Sequence, residues 1–329
     1  MTTISSPAPA PTHDNRLAFS DELLRLAADD PRIVAVCNDS VGSSKLEAFR
    51  DAYPNRLVNV GIAEQNMVGI GAGLASAGLI PFVCAAGPFL TARALEQIKA
   101  DVAYSQLPVI LCGMSPGVAY GELGPTHHSI EDYSWMRALP GVDIVVPADR
   151  AQTRAAVRAL VEHPRPTYMR VGRYKVPDVS GTAVDGSPVA IERGRFQQVR
   201  DGDDVTLVGI GTTVSLAEQA AVTLADRGVA ARVLNATHLA PFDRDAVERA
   251  ARDTRAIVTI EEANVAGGLG AAVAMVVGQL RREQRVPLRV LGFDRFAETG
   301  SAAFLLHRAG LTAPSIVGVV EEVLSDDDH

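Results

Sequence analysis

Apolar, β-branched runs alternate with segments of helical periodicity along the first half of the chain. The apolar runs cover residues 33–37, 57–60, 82–85, 109–112, 142–146 and 167–171. Segments with the pattern of helices lie between most of them, at residues 20–28, 64–77, 91–105 and 150–162. Because such alternation is typical of helices that cross over between parallel strands, it predicts a doubly wound α/β domain.

This rhythm stops at residues 176–193, which hold two prolines and two glycines and show no clear period. Such a stretch predicts a linker between domains. A second series of strand-like runs follows at 205–210, 231–235, 256–260 and 288–291, with helical stretches between them, and predicts a smaller α/β domain. The expected organisation is an unstructured tail over 1–14, a first domain over 15–175, the linker, and a second domain over 194–324.

Composition narrows the function classes. The 329 residues are 47% apolar and 21% charged, which suits two globular domains. The net charge of −8, without a basic cluster, argues against a nucleic-acid surface. The start lacks the features of a signal peptide, and no apolar run is expected to approach the roughly 18 residues of a membrane span.

The three cysteines, Cys37, Cys84 and Cys112, lie inside apolar, strand-like runs. No pair of them has the spacing of a metal or redox site. They are therefore expected to be inert core residues in a reduced, cytoplasmic protein.

The strongest chemical signal is an acid directly after a strand, Glu64 in the segment 60–66 (VGIAEQN). Alone, an acid in a first helical turn is ordinary, because it complements the helix dipole. The surrounding sequence resembles a known family. Residues 60–75 (VGIAEQNMVGIGAGLA) and 121–132 (GELGPTHHSIED) are similar to signatures of the pyrimidine domain of transketolases and deoxyxylulose-phosphate synthases. Residues 261–271 (EEANVAGGLGA) resemble the C-terminal domain of that family.

The resemblance implies thiamine diphosphate as cofactor. It implies that the Glu64 carboxyl bonds the aminopyrimidine ring and exchanges a proton with a ring nitrogen, which favours the imino tautomer. It implies that Phe89 stacks on the pyrimidine, that Asp39 lies near the thiazolium, and that Ile62 contacts the cofactor.

The resemblance also implies substrate contacts. His127 matches the active-site histidine that contacts the substrate oxygen near the reacting carbon, where a donor stabilises developing charge. Arg16, Ser43 and Arg170 resemble sugar-phosphate contacts, and the planar fork of arginine suits phosphate. His128 is expected to play a structural part.

The diphosphate–magnesium motif of thiamine enzymes, Gly-Asp-Gly with an asparagine about 25–30 residues on, has no match in the chain, and no metal ligand is expected here. A separate chain that supplies this domain, and with it Mg²⁺ and the diphosphate contacts, is the simplest expectation. Analogy with the family suggests an α₂β₂ assembly.

Several family positions are altered, at Ser115, Pro116, Ala86 and Leu123. Leu123 replaces an aspartate that accepts hydrogen bonds from acceptor hydroxyls, so the acceptor is expected to be non-standard. Ketol transfer from a ketose to an aldehyde is the leading function. An acyloin-forming synthase, the β subunit of a 2-oxoacid dehydrogenase and a non-catalytic scaffold remain alternatives.

Overall fold

The computed structural model describes residues 11–181 and 190–325. Most of the predicted tail and residues 182–189 of the predicted linker lie outside these ranges. The described chain forms two α/β domains, each built around its own mainly parallel sheet, so the predicted fold class is confirmed.

Within residues 11–181 and 190–325, the strands form two large sheets and one two-stranded sheet. They are β1 Thr12–Asp14, β2 Ile33–Cys37, β3 Leu57–Asn59, β4 Ile80–Ala86, β5 Ile110–Met114, β6 Asp143–Val145, β7 Thr167–Val171, β8 Lys175–Pro177, β9 Gln197–Arg200, β10 Val205–Gly209, β11 Ala231–Asn235, β12 His238–Ala240, β13 Ala256–Asn264 and β14 Leu288–Phe293.

The helices cover these sheets. They are α1 Asn15–Asp29, α2 Glu47–Ala52, α3 Glu64–Ser76, α4 Leu95–Gln97, α5 Asp132–Arg137, α6 Arg150–Glu162, α7 Val214–Ala225, α8 Arg244–Asp253, α9 Leu269–Gln279, α10 Ala302–Arg308 and α11 Ala313–Ser325. Two π-helical segments, Phe89–Arg93 and Ile98–Tyr104, flank α4.

The first sheet has the strand order β12-β6-β7-β5-β4-β2-β3 and is parallel except for β12. Its strands bury both faces, as in β2, where all five residues are buried. Ile33, Ala35 and Cys37 face the helices α1 and α6, whereas Val36 packs with α3. Strands that are buried on both faces appear in the sequence as continuous apolar runs. The strands of this sheet could therefore be predicted from the sequence.

The second sheet has the order β14-β13-β10-β11-β9, with β9 antiparallel to β11. The two domains are joined through more than the linker. Strand β12 comes from the second half of the sequence but pairs with β6 of the first sheet. One apolar core also runs across the junction and includes Met67 and Tyr133 from the first domain and Val247 and Leu269 from the second.

The predicted tail ends earlier than expected. Thr12–Asp14 form strand β1, which pairs with β8, and the Asp14 side chain accepts from the Arg16 backbone amide as the cap of α1. The expectation that residues 12–14 are unstructured and that 176–177 begin the linker is therefore wrong. Two three-residue strands with no alternation of their own carry no strand signal in the sequence.

One helical stretch, Ala302–Ser325, is long and apolar enough to cross a membrane by length and composition, with a mean hydropathy of 1.4. The sequence analysis did not anticipate it. In the fold it is two helices, α10 and α11, separated by a turn in which Gly310 has φ +70°. Because α11 packs on α7, the stretch is weak evidence for a membrane span.

The three cysteines are buried and free, as predicted. They lie side by side on β2, β4 and β5, in the register Cys37–Cys84–Cys112. Burial raises the pKa of the Cys37 thiol to about 11, so the thiolate is scarce at neutral pH.

Candidate active site

A cavity of about 320 Å³ lies where strands β2 and β4 end, against the start of α3 and the loop that follows β5. The carboxyl ends of parallel strands are where such sheets place ligands. The lining residues come from four separate parts of the first domain: Asn38, Asp39, Ser40, Ser43, Ile62, Glu64, Ala86, Phe89, Arg93, Tyr120 and His127.

Glu64 is the first residue of α3 and is 1% exposed. Its Oε1 accepts from Asn38 Nδ2 at 2.7 Å, and its Oε2 accepts from Arg93 Nη1 at 2.6 Å. Burial by itself would raise the pKa of this carboxyl, but the hydrogen bonds from Arg93, from the Glu64 backbone amide and from Asn38 outweigh burial, and the pKa is lowered. The buried carboxyl is therefore held ionised.

Phe89 begins a π-helical segment three residues after the end of β4. The Arg93 guanidinium carbon lies 4.9 Å from the centroid of the Phe89 ring. His127 meets the same ring edge-on, with centroids 5.1 Å apart. The ring is thus one flat wall of the cavity, between the acid and the histidine.

His127 is half-buried, and its Nδ1 shares a 3.0 Å hydrogen bond with the Thr126 hydroxyl. The centroid of its ring also lies 6.3 Å from that of the Tyr120 ring. The guanidinium carbon of Arg173 lies over the Tyr120 ring, 5.0 Å from its centroid. Arg173 is an exposed cation beside the cavity, and within the described ranges it has no ion pair.

The loop after β2 and the turn before α3 are tied together by Asn59. Its Oδ1 accepts from the backbone amides of Asp39 and Gly61, and its Nδ2 donates to Asp39 Oδ1. Asp39 has φ +64° and Gly61 has φ +71°, so both sit in the left-handed region. The turn leaves Ile62 79% exposed at the rim of the cavity.

Ser43 lines the cavity, but Arg16 does not. The Arg16 guanidinium forms a two-point ion pair with Asp14 and donates to the Ser43 backbone carbonyl at 3.1 Å. The expected substrate contact of Arg16 is therefore not supported. It braces the loop that carries Ser43.

Arg170 also lies outside the cavity, contrary to the sequence expectation. It is 4% exposed and bonds both oxygens of Asp132, the Tyr133 hydroxyl and the backbone carbonyls of Ser129 and Glu262. Since Glu262 belongs to the second domain, Arg170 is a buried element of the domain junction. It has no free face for a phosphate.

The altered family positions have different surroundings. Ala86 ends β4 and lines the cavity. Leu123 is 56% exposed in a 3₁₀ turn before His127, outside the lining. Ser115 is buried with φ +53°, and its hydroxyl has no hydrogen-bond partner in the described parts of the chain. His128, which was expected to be structural, is buried, and its Nε2 forms a hydrogen bond with the Gly121 backbone carbonyl.

The cavity fits a polar aromatic ring. It has a flat apolar wall in Phe89 and a buried acid in Glu64. Asn38 adds an unsatisfied acceptor, because its NH₂ group faces the carboxylate and its Oδ1 has no hydrogen-bond partner among the described residues. Within residues 11–181 and 190–325, no group of three or more acids, histidines or cysteines could hold a metal ion.

A second cavity of about 330 Å³ lies in the second domain, between residues 292–298 and α10. Its charges are exposed and paired with each other, as in Asp294–Arg295 and Glu298–Arg308. None of the residues predicted for a site lies there.

The sequence analysis missed four polar residues that line the cavity, Asn38, Ser40, Arg93 and Tyr120. It also missed Asn59 and Arg173, which lie beside the cavity. A signal existed for Arg93, because residues four apart on a helix share a face and Arg93 follows Phe89 by four. Arg173 stands three residues after Arg170, just beyond the end of β7. Nothing local distinguishes Asn38 or Asn59 from ordinary loop residues.

Two family models match the chain. The model described as "Transketolase, pyrimidine binding domain" matches residues 12–178, and "Transketolase, C-terminal domain" matches residues 194–316. Together they cover both α/β domains.

Curated relatives match over nearly the full length. The chain is 45% identical to one subunit of an apulose-4-phosphate transketolase from Phocaeicola vulgatus, over 92% of this chain and 94% of the relative. It is 39% identical to a 6-deoxy-6-sulfo-D-fructose transketolase subunit of a Clostridium species, over 94% of each chain. A solved structure described as "Split gene transketolase, inactive beta4 tetramer" is 38% identical, with a TM-score of 0.85, over 95% of this chain and 98% of that one.

Proposed function

The chain belongs to the transketolase family, and from this premise we propose that it is the pyrimidine-binding subunit of a two-chain transketolase. Family membership implies dependence on thiamine diphosphate. The enzyme transfers a two-carbon ketol unit from a ketose to an aldehyde. The relatives named as subunits support a separate partner chain, as does a homologous assembly of β chains alone that is described as inactive.

The observation that carries the proposal is the single cavity that contains Glu64, Phe89 and His127. When bound, thiamine diphosphate supplies the nucleophilic carbon that takes up the two-carbon unit. Glu64 exchanges a proton with a nitrogen of the pyrimidine ring, and Asn38 fixes the orientation of its carboxyl. Phe89 offers the flat face on which the ring stacks.

His127 acts on the substrate as a hydrogen-bond donor. When the Thr126 hydroxyl donates to Nδ1, the neutral imidazole carries its proton on Nε2. An Nε2–H donor near the reacting carbonyl stabilises the negative charge that develops on its oxygen. Asp39, on the exposed rim, accepts from a donor on the cofactor or substrate.

The far end of the substrate is anionic in this proposal. Arg173 provides a cation beside the cavity. The Ser43 hydroxyl lies within the cavity and becomes a donor for the substrate when it gives up its hydrogen bond to the Ser40 carbonyl. An arginine bonds phosphate or sulfonate oxygens with its planar fork. The names of the relatives, an apulose-4-phosphate enzyme and a sulfo-sugar enzyme, agree with an anionic substrate.

The partner chain supplies Mg²⁺ and the donors for the diphosphate, and we propose an α₂β₂ assembly in the cytoplasm. The sequence supports this division, because it has no match to the Gly-Asp-Gly motif of diphosphate domains.

Calorimetry with thiamine diphosphate and Mg²⁺ tests the proposal, first with the chain alone and then with its co-purified partner. We expect binding in the complex only, and ketose formation without release of CO₂. Glu64→Gln should lower turnover by about 10²–10⁴-fold, the usual contribution of a positioned acid or base, without unfolding the chain. The exposed acid Glu96, changed to Gln, is the matched control.

Absence of binding by the folded complex would refute the proposal in favour of a scaffold. CO₂ release from a 2-oxoacid would replace it with a synthase or a dehydrogenase. Full turnover by Glu64→Gln would show that the carboxyl of Glu64 is not needed for proton exchange with the pyrimidine ring.

A further inference from the structure

Arg93 touches two of the residues that the proposed function assigns to the cofactor ring. Its Nη1 donates to Glu64 Oε2 at 2.6 Å, and its guanidinium carbon lies 4.9 Å from the centroid of the Phe89 ring. One side chain therefore both bonds the buried acid and covers the aromatic wall. No other side chain of the described lining makes both contacts.

A guanidinium group suits this double contact because of its chemistry. It is planar, delocalised and cationic, it bonds carboxylates, and it stacks on aromatic faces. An aminopyrimidine ring that stacks on Phe89 and bonds Glu64 needs the same two surfaces. Two planar groups cannot occupy one space between the acid and the aromatic wall.

We infer that Arg93 is a positioning residue that occupies the place of the pyrimidine ring in the free subunit and is displaced when the ring binds. The inference rests on the proposed function, since it takes the ring to contact Glu64 and Phe89. While Arg93 is in place, Glu64 stays ionised and in one orientation at the bottom of the cavity.

The contacts of Arg93 allow such a displacement. Its side chain is 46% exposed, and Glu64 is its one ion-pair partner within the described ranges. The Glu64 carboxyl, in contrast, is 1% exposed and is held from the other side by Asn38. The guanidinium can therefore turn into solvent while the acid remains fixed.

Other charged groups around Glu64 bear on its titration. Asp39 and His127 line the same cavity from the loop after β2 and the loop after β5. Asp101 approaches α3 at Gly69, one turn beyond Glu64. Arg93 is the one cation in direct contact with the carboxyl among the described residues, so its removal should dominate the change.

The first test uses the subunit alone and needs no cofactor. The carboxyl of Glu64 is titrated by difference infrared spectroscopy, with Glu64→Gln as the blank. Arg93→Met should raise the pKa of this carboxyl, because it removes the largest of the contacts that oppose burial and leaves the Glu64 backbone amide and Asn38. Arg93→Lys should keep it low. Arg50→Met is the matched control, since Arg50 is 50% exposed and pairs with Asp51 on the surface. An unchanged pKa in Arg93→Met would overturn the inference.

The second test measures the dissociation constant of thiamine diphosphate with Mg²⁺ in the two-chain complex. If the ring displaces the guanidinium, Arg93→Met should bind about fivefold more tightly, the change that corresponds to ~1 kcal/mol for a half-exposed ion pair. Arg50→Met should bind like the unchanged protein. Weaker binding by Arg93→Met, with unchanged thermal unfolding, would show that the guanidinium supports the ring and would overturn the displacement.

The two failures are distinguishable. If the unchanged complex binds no cofactor, the proposed function falls and the displacement falls with it. If the unchanged complex binds and Arg93→Met binds equally well, the proposed function stands and only the displacement is refuted.

Discussion

The cavity buries the carboxyl of Glu64 and the domain junction buries that of Glu261, and the pKa values of these two groups are shifted in opposite directions. Burial raises the pKa of Glu261 at the junction to about 7, although the backbone amides of Leu269 and Gly270 donate to it. In the cavity, burial acts on Glu64 in the same sense, yet the pKa is lowered because Arg93 and Asn38 bond the carboxylate. Burial therefore favours the neutral acid unless a cation contacts it directly.

The two regions also differ in how an arginine holds its acid. At the junction, Arg170 and Asp132 are both nearly inaccessible and form two bonds, with three further acceptors around the guanidinium. In the cavity, Arg93 makes one ion pair and is half-exposed. A pair of the first kind is a permanent part of the fold, whereas a pair of the second kind can exchange with a ligand.

Breaking the junction pair should have the largest effect on stability. Arg170→Met leaves Asp132 buried without its cation, which typically costs about 3–5 kcal/mol. Urea unfolding of the purified chain measures this loss. Arg173 lies three residues away and is exposed, so Arg173→Met should change the free energy of unfolding by less than about 0.5 kcal/mol. A loss below about 1 kcal/mol for Arg170→Met would mean that the two arginine pairs do not differ in kind.

The raised pKa of Glu261 makes the junction sensitive to pH. Its folded-state pKa, about 7, lies above the ordinary value of 4.5, so the folded chain binds more protons between these values. Stability must then fall as the pH rises through this window, by up to about 3 kcal/mol from this group.

Glu261→Gln tests this sign, because the amide keeps an oxygen for the start of α9 but does not titrate. The urea midpoint of the variant should change less between pH 5 and pH 7 than that of the unchanged chain. Glu248→Gln, on the exposed surface of α8, should leave the slope as it is. Equal slopes for all three proteins would mean that Glu261 is not the group responsible.

The smallest effect is expected in the 3₁₀ turn before His127, outside the lining of the cavity. Leu123→Asp restores an acceptor of hydrogen bonds at a position 56% exposed, so stability should change by less than about 0.5 kcal/mol. Acceptor preference is measured as kcat/KM over a panel of aldehydes with the two-chain enzyme. The ratio of kcat/KM between aldehydes should change by an amount at the low end of ~1–3 kcal/mol, which is the cost of leaving a buried polar group unpaired.

Val222→Asp, 48% exposed in the second domain, is the control for that substitution. An unchanged ranking of aldehydes in Leu123→Asp would show that Leu123 does not set the acceptor.

The elements with strong local signals were predictable. Helix α6 spans the predicted residues 150–162, because Asp149 caps it by accepting from the Gln152 amide and its apolar face is regular. Strand β7 spans the predicted 167–171. The start of α1 was expected at residue 20 but lies at Asn15, because its cap is Asp14, inside the segment expected to be a tail.

Most of the candidate site was predictable as well. Glu64, Phe89, Asp39, Ile62, Ser43 and His127 all line one cavity. Their cofactor and substrate roles stay predictions. Arg170 was misplaced because it lies within β7, where side chains two apart share a face and Tyr168 and Arg170 both turn to Asp132.

The sequence by itself determined the two α/β domains, the family and the acid at the start of α3. These features follow from local periodicity and from contiguous motifs, which can be recognised without knowing which distant residues are in contact. Only the tertiary structure decided which arginine contacts which acid: Arg93 with Glu64 in the cavity, and Arg170 with Asp132 at the junction. Partners separated by 29 and 38 residues meet through the packing of different elements, so no local pattern can assign them.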